Sequence, residues 1–274
     1  MQVTGEKRFL LMPPSFHRRV HIFPRVHQHH RRSQIHWSSL ERHTGSGTAR
    51  DWALGDELLK ADGVLEVTLK AGDMLYLPPY WLHHVTNLDA GISVNVWTER
   101  KDEKHLMTQI HREVPDIPPQ FFPPPSPNGV RKVYRDIRYL SPFFALYLWL
   151  TVAGIHPNFA PEDVAQYFRQ HYEQRYQWLE EDTLGIKLND KSDPLDLASV
   201  CRQPLDPELH SAARRSALNA ITLLQRARVL MLDGLTVLLD DFIDSTVFDA
   251  VNTEHRLMGS FTVAIARCVS LLRN

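Results

Sequence analysis

The sequence predicts a mainly β, barrel-like portion followed by an α-helical C-terminal region, on three observations. Between Gln2 and Trp97 several short stretches alternate in the period of two that a half-buried strand requires. Seven prolines then fall between Pro115 and Pro127, a density that suits neither helix nor sheet. From Val130 onward apolar residues recur at helical spacing. The chain therefore divides into a β domain at 1–114, a Pro-rich linker at 115–129 and a helical region at 130–274.

A length of 274 residues accommodates one large domain or two modest ones. The net charge of -1 argues against a strongly electrostatic nucleic-acid binder. Cys201 and Cys268 form neither a metal spacing nor a disulfide framework, which fits a reducing compartment, cytoplasmic or nuclear, over secretion. The opening MQVTGEKRFLLMPP has too short an apolar core for a signal peptide. The most apolar run, Phe143 to Ile155, falls short of the roughly 20 residues that span a bilayer and reads as a buried helix.

Gln2 to Met12 reads as one strand, with Lys7, Phe9 and Leu11 on one face and Arg8, Leu10 and Met12 on the other. A lone strand lysine either sits at an exposed edge or points inward, where it needs an anion to offset its burial. Ser15 to Trp37 lacks periodicity and reads as a solvated, mobile loop. Its His27–His30 run has metal-like spacing without the fixed geometry a metal requires. Leu40 to Asp62 is a polar surface segment with a short helix.

Val64 to Lys70 alternates cleanly and is expected to pair with a buried strand at Gly72–Pro78. The turn PPYWLHHV follows, and Gly91 to Trp97 returns as a strand. Ile92, Val94 and Val96 should be its buried face, with Ser93, Asn95 and Trp97 opposite. Such a strand can line a barrel that holds a small polar ligand, and a histidine opening the hairpin would point into the same cavity. The competing reading makes His83 and His84 ordinary strand-edge residues that satisfy local hydrogen bonds.

Helices are expected at Phe143–Ile155, Pro161–Glu181, Asp206–Leu232, Gly234–Asp244 and Phe248–Leu272. Asp240, Asp241 and Asp244 read as a solvated helix face in preference to a metal site. The stripe Leu223, Leu224, Ala227, Leu230 and Met231 reads as intramolecular core.

The run GDMLYLPPYWLHHV followed by GISVNVW resembles the closing hairpin of JmjC (cupin-like) oxygenases that use Fe(II) and 2-oxoglutarate. QVTGEKRFLLMPP and RRSQI are similar to segments of the group around the asparaginyl hydroxylase of hypoxia-inducible factor. The resemblance implies a double-stranded β-helix (jelly roll, cupin) for the β portion. It makes His83 the last iron ligand, pairs Lys7 with the distal carboxylate of 2-oxoglutarate and puts Asn95 in the co-substrate pocket. Arg31, Arg32 and Gln34 would frame a substrate entrance. A protein is the implied substrate or partner, and the C-terminal helices offer a homodimer as a second outlet for their apolar faces.

Iron in such a site is held by two histidines and one carboxylate. The family supplies the other two ligands as an HxD or HxE motif upstream of the lysine strand, whereas this chain begins with Met1 at that strand. The HxE triplet His111-Arg112-Glu113 follows His83. The expectation is therefore an N-terminally truncated JmjC-type dioxygenase, a protein hydroxylase, that lacks the HxD motif and whose catalytic competence is open. The alternative is a non-catalytic cupin-like binding or interaction protein. Histone demethylation would use the same fold.

Overall fold

Gly5 decides how the first strand is used. Its φ is +70°, and a Cβ there would lie 2.4 Å from the Ala90 carbonyl oxygen, so only glycine fits the bend. The single strand expected at Gln2–Met12 is consequently two: β1 (Gln2–Thr4) and β2 (Lys7–Met12). They enter different sheets, β1 beside β5 (Ile92–Ser93) and β2 between β3 (Leu65–Leu69) and β4 (Leu82–Asn87), all antiparallel. The computed structural model describes residues 1–25, 27–35, 37, 55, 57–98, 101–113, 115–121, 137–176, 205–230 and 234–251.

The alternation expected in β2 is realised. Lys7 lies opposite Leu69 and Asn87, Phe9 opposite Val67 and Val85, and Leu11 opposite Leu65 and His83. These pairs share one face of the larger sheet, because side chains directly opposite across a ladder point the same way. The other face, with Leu10, Met12 and Leu82, packs on Phe16, Val20, Ile22, Ile35, Trp37 and Leu58. The two ends of the 15–37 stretch, residues 16–22 and residues 35 and 37, are thus a packed layer and not the solvated loop expected, whereas residues 28–32 are exposed as expected. His84 belongs to this back face and stacks on Trp37 with ring centroids 5.9 Å apart.

Pairing of β3 with 72–78 is not observed. The Asp73 amide donates to the Lys70 carbonyl at 2.9 Å, and Gly72 carries φ +95°, which closes a tight turn. Beyond it the chain crosses to β1, with Gly72 N–H donating to the Gln2 carbonyl and Gln2 N–H to that of Asp73. Residues 73–78 form no strand. Leu75 and Leu77 are half-buried, whereas Met74 and Tyr76 are 77% and 78% exposed. Ile92, Val94 and Val96 are likewise exposed, contrary to the expected buried face. Alternation signals which residues share a side; the burial of that side depends on a covering layer, and the described residues place none there.

The helices are α1 (Lys101–Arg112), α2 (Ile137–Ile155), α3 (Pro161–Arg175), α4 (Pro207–Leu230) and α5 (Leu235–Val251). α1 was not expected, because its charges mask the buried pair Leu106 and Ile110, one turn apart. α2 is buried throughout Phe143–Leu148, and Gly154 lets it approach α4, where a Cβ would meet Ile221 Cδ1 at 2.3 Å. Leu224 and Ala227 of the expected stripe enter this same core. Ile117, within the Pro-rich stretch, packs there too; residues 122–136 lie outside the described residues. α5 continues past Asp244 to Val251, and the remainder of the helix expected at Phe248–Leu272 also lies outside them.

Asp240 and Asp244 are fully buried, so the solvated-face reading is overturned. Arg18 grips Asp240 with Nε at 3.1 Å and a terminal nitrogen at 2.7 Å, and Tyr167 O–H donates to the same carboxylate at 2.9 Å. Asp244 accepts from Arg175, from Tyr176 O–H at 2.5 Å and from the Arg25 amide at 2.9 Å. His171 lies between them, Nδ1 3.1 Å from Asp240 and Nε2 2.9 Å from Asp244. Both ring nitrogens can donate only in the imidazolium form. Burial alone would lower the His171 pKa, but the Asp244 and Asp240 carboxylates reverse that and raise it. His17 goes the other way: burial, reinforced by Arg175, lowers its pKa to about 3, and its neutral Nε2 accepts from Arg175. Burial opposes ionisation of both aspartates too, yet Arg18 and His171 hold Asp240, and Arg175 and His171 hold Asp244, below the usual carboxylate range.

Gly5→Ala should destabilise the protein by about 1–3 kcal/mol in urea unfolding, since it combines a positive φ with a backbone clash. His17 and His171 together predict a stability optimum near pH 6.5, with the Asp241 carboxyl, whose pKa burial raises, opposing the rise at its acidic end. Between about pH 3 and 6.5 the unfolded state binds a proton at His17 that the folded state refuses, so stability rises with pH. The depressed aspartates add to that rise at its acidic end, their stabilisation being lost as pH falls through their folded pKa values. Above 6.5 the folded state retains the His171 proton, and its stabilisation is lost as pH passes the raised pKa. Thermal melts from pH 4 to 9 on the wild type and His171→Gln should show the alkaline decline only in the wild type. Asp240→Ala, which leaves the Arg18 guanidinium buried without its carboxylate and His171 with Asp244 alone, should cost about 3–5 kcal/mol.

Candidate functional site

The open face of the sheets carries three of the residues singled out from the sequence. Lys7, from the first position of β2, donates through Nζ to Ser93 Oγ at 2.5 Å, across from one sheet to the other. Ser93 and Asn95 share a side of the returning segment. With Gln2, Phe9, Leu69, Leu75 and Leu77 they line a shallow depression of about 60 Å³. Gln2 ties its side-chain amide to the Thr4 carbonyl at 2.6 Å, while its Oε1 is buried with no hydrogen-bond donor among the described residues. A buried acceptor left this way calls for a donor from water or a ligand. Ser93 and Gln2 were not picked out from the sequence as site residues, although Ser93 is two positions before Asn95 and therefore on its face.

His83 opens the same face at the other end of the ladder, opposite Leu11. Leu11 is four residue steps along the strand from Lys7, about 13 Å at ~3.3 Å per strand residue. The imidazole is exposed, and its Nδ1 lies 3.5 Å from the Trp81 carbonyl oxygen. A proton on Nδ1 shared with that carbonyl leaves the Nε2 lone pair available, the arrangement in which histidine binds metals.

Iron and an oxo acid can be tested against these residues. Among the described residues no group of three or more His, Cys, Asp or Glu side chains comes together as a metal site. His83 is therefore one donor where a facial triad takes three, and the residues present do not fit iron by themselves. The HxE triplet 111–113 lies at the end of α1, outside the sheets. The oxo acid fares better chemically, with an ammonium, a hydroxyl and a carboxamide on one wall. The depression has room for about two waters, however, and small-molecule sites usually enclose about 300–1,000 Å³. It is a wall and not a closed pocket.

The remaining candidates lie on the packed layer behind the larger sheet. Arg31 and Arg32 are exposed, Arg31 with φ +70°. Gln34 is buried, its side-chain amide donating to the Arg175 carbonyl at 2.9 Å. His27 stacks on Phe23 with centroids 4.5 Å apart, while His29 and His30 are exposed.

Residues 1–104, which include every described strand and the whole wall, match the family model of the cupin-like domain. The β portion is thus similar to the cupin-like domain, and two of the proteins it resembles are of the JmjC kind. The chain is 33% identical over 116 residues to the Lysine-specific demethylase JMJ32 of Arabidopsis thaliana, covering 35% of this chain and 33% of that protein. It is 44% identical over 34 residues to JmjC domain-containing protein C of Dictyostelium discoideum, covering 12% of this chain and 8% of that protein. The chain thus spans a third or less of the length of these relatives. No solved structure matches it.

Proposed function

We propose that residues 1–98 form the co-substrate wall of a JmjC-type oxygenase domain that works with Fe(II) and 2-oxoglutarate on a protein side chain, as a hydroxylase. The observation that supports it is the sharing of one open face by Lys7, Ser93, Asn95 and His83. A lysine ammonium beside a serine hydroxyl offers a carboxylate charge-assisted hydrogen bonds, and His83 offers a free imidazole nitrogen farther along the wall. When bound, iron and the oxo acid supply the oxidation of an unactivated C–H bond, and the protein's part is to hold, orient and screen. The other metal donors come from outside the described residues. The similarity to a lysine-specific demethylase favours a protein substrate, for which exposed Arg31 and Arg32 are contacts and buried Gln34 a support. Cytoplasm or nucleus is the compartment we assign, and among the described residues no helix is long and apolar enough to cross a membrane.

A second reading, a non-catalytic cupin-like binding module, is favoured by the lack of a three-donor set among the described residues. Two measurements on the 274-residue chain separate the readings. Under the first, 2-oxoglutarate shifts the amide resonances of Ser93 and Asn95. Lys7→Met then weakens that binding by roughly 10- to 100-fold, the loss of one charge-assisted hydrogen bond. No shift at any concentration would leave the binding module as the surviving reading. Fe(II) retention after desalting is substoichiometric if His83 is the one donor in the chain; full retention together with succinate formation would show that residues outside the described ones complete the triad.

A further inference from the structure

Tyr80 has φ +63°, a left-handed conformation that a bulky residue keeps only where its surroundings hold it. Those surroundings are helical. A Cβ on Gly234, the buried residue just before α5, would lie 2.7 and 2.9 Å from Cδ2 and Cε2 of the Tyr80 ring and 3.1 Å from Cγ. The Tyr80 hydroxyl donates to Met107 Sδ of α1 at 3.9 Å, and the ring packs against the helical core. Tyr80 is thus a peg from the β domain, seated in a notch that exists because residue 234 has no side chain. The rigid pair Pro78 and Pro79 leads into it, and the Trp81 amide closes the turn on the Pro78 carbonyl at 3.3 Å.

The next carbonyl, that of Trp81, is the one that faces His83 Nδ1. We infer that Tyr80 is a positioning residue: seated on Gly234 and Met107, it holds the Trp81 carbonyl against His83 Nδ1 and keeps the His83 Nε2 lone pair free on the open wall. The helix behind Gly234 is held in turn, because α5 also carries Asp240 and Asp244 of the buried network. The helical region therefore acts as a strut for the hairpin that presents His83. The importance of His83 as a metal donor rests on the reading proposed above, but its tautomer does not.

Long-range proton–nitrogen NMR of the full chain tests the inference, with hydrogen exchange alongside. In the wild type the larger His83 population should carry its proton on Nδ1. Gly234→Ala displaces the ring, and should make that population the minor one and speed amide exchange across Leu82–Asn87 by about tenfold. Tyr80→Gly removes both the peg and the backbone strain, so it should fold and give the same tautomer change. Tyr80→Phe keeps the ring in the notch and should keep the wild-type tautomer. A purely structural contact would lower the melting temperature without moving the tautomer. The inference is overturned if wild-type His83 carries its proton mainly on Nε2, or if Gly234→Ala and Tyr80→Gly leave the ratio unchanged. Neither iron nor 2-oxoglutarate is used, so failure of the co-substrate reading shows up separately, in the Ser93 and Asn95 titration.

Discussion

The arrangement depends on a buried charge cluster in which Asp240 and Asp244 are neutralised from three directions. Taking one carboxylate out of water costs several kcal/mol, and attraction repays that only where geometry and hydrogen bonding are nearly complete. Here Asp240 takes Arg18, Tyr167 and His171, while Asp244 takes Arg175, His171, Tyr176 and the Arg25 amide. The third positive charge is balanced by Asp241, which is 3.1 Å from Arg175 and keeps 21% of its side chain exposed. Arg18 also lies over the Tyr167 ring, 3.8 Å from its centroid. Such a cluster is poor evidence for net stability but strong evidence for a fixed arrangement, since no member can leave without stranding another.

What it fixes is the layer behind the larger sheet. His17, Arg18 and Arg25 belong to residues 15–37; the carboxylates belong to α5, and His171 and Arg175 to α3. Gln34 and His21 add bonds to the Arg175 and Gln174 carbonyls at 2.9 Å each. With those residues tied to two helices, Phe16, Val20, Ile22, Ile35 and Trp37 are held against Leu10 and Met12. The back of the sheet is therefore dry and anchored, while the front, with Lys7 and His83, is open.

Local alternation was sufficient to place Lys7, Phe9 and Leu11 on one side and to put Ser93 with Asn95. It could not show that Gly5 redirects the strand into a second sheet, because that follows from the Ala90 carbonyl, 85 positions away. The same limit explains the aspartates. Three acids within five residues of a helix are ordinarily solvated, and only Arg18, His171 and Arg175, distant in sequence, turn them into an interior cluster. Tyr80 read as a turn aromatic, because the glycine that accepts it lies in the helical region. In each case the missing information was the identity of a long-range partner and not the propensity of the segment.

The similarity to cupin-like domains ends at residue 104, but the physical unit does not. The back layer of the sheet closes on α3 and α5, and the turn before His83 closes on Gly234 and Met107. A domain cut at the limit of the match would leave Arg18 without Asp240 and Tyr80 without its notch. It would expose a buried guanidinium and free the His83 imidazole on the wall. The helical region is therefore part of whatever site the wall belongs to, because it determines which nitrogen His83 presents and how firmly.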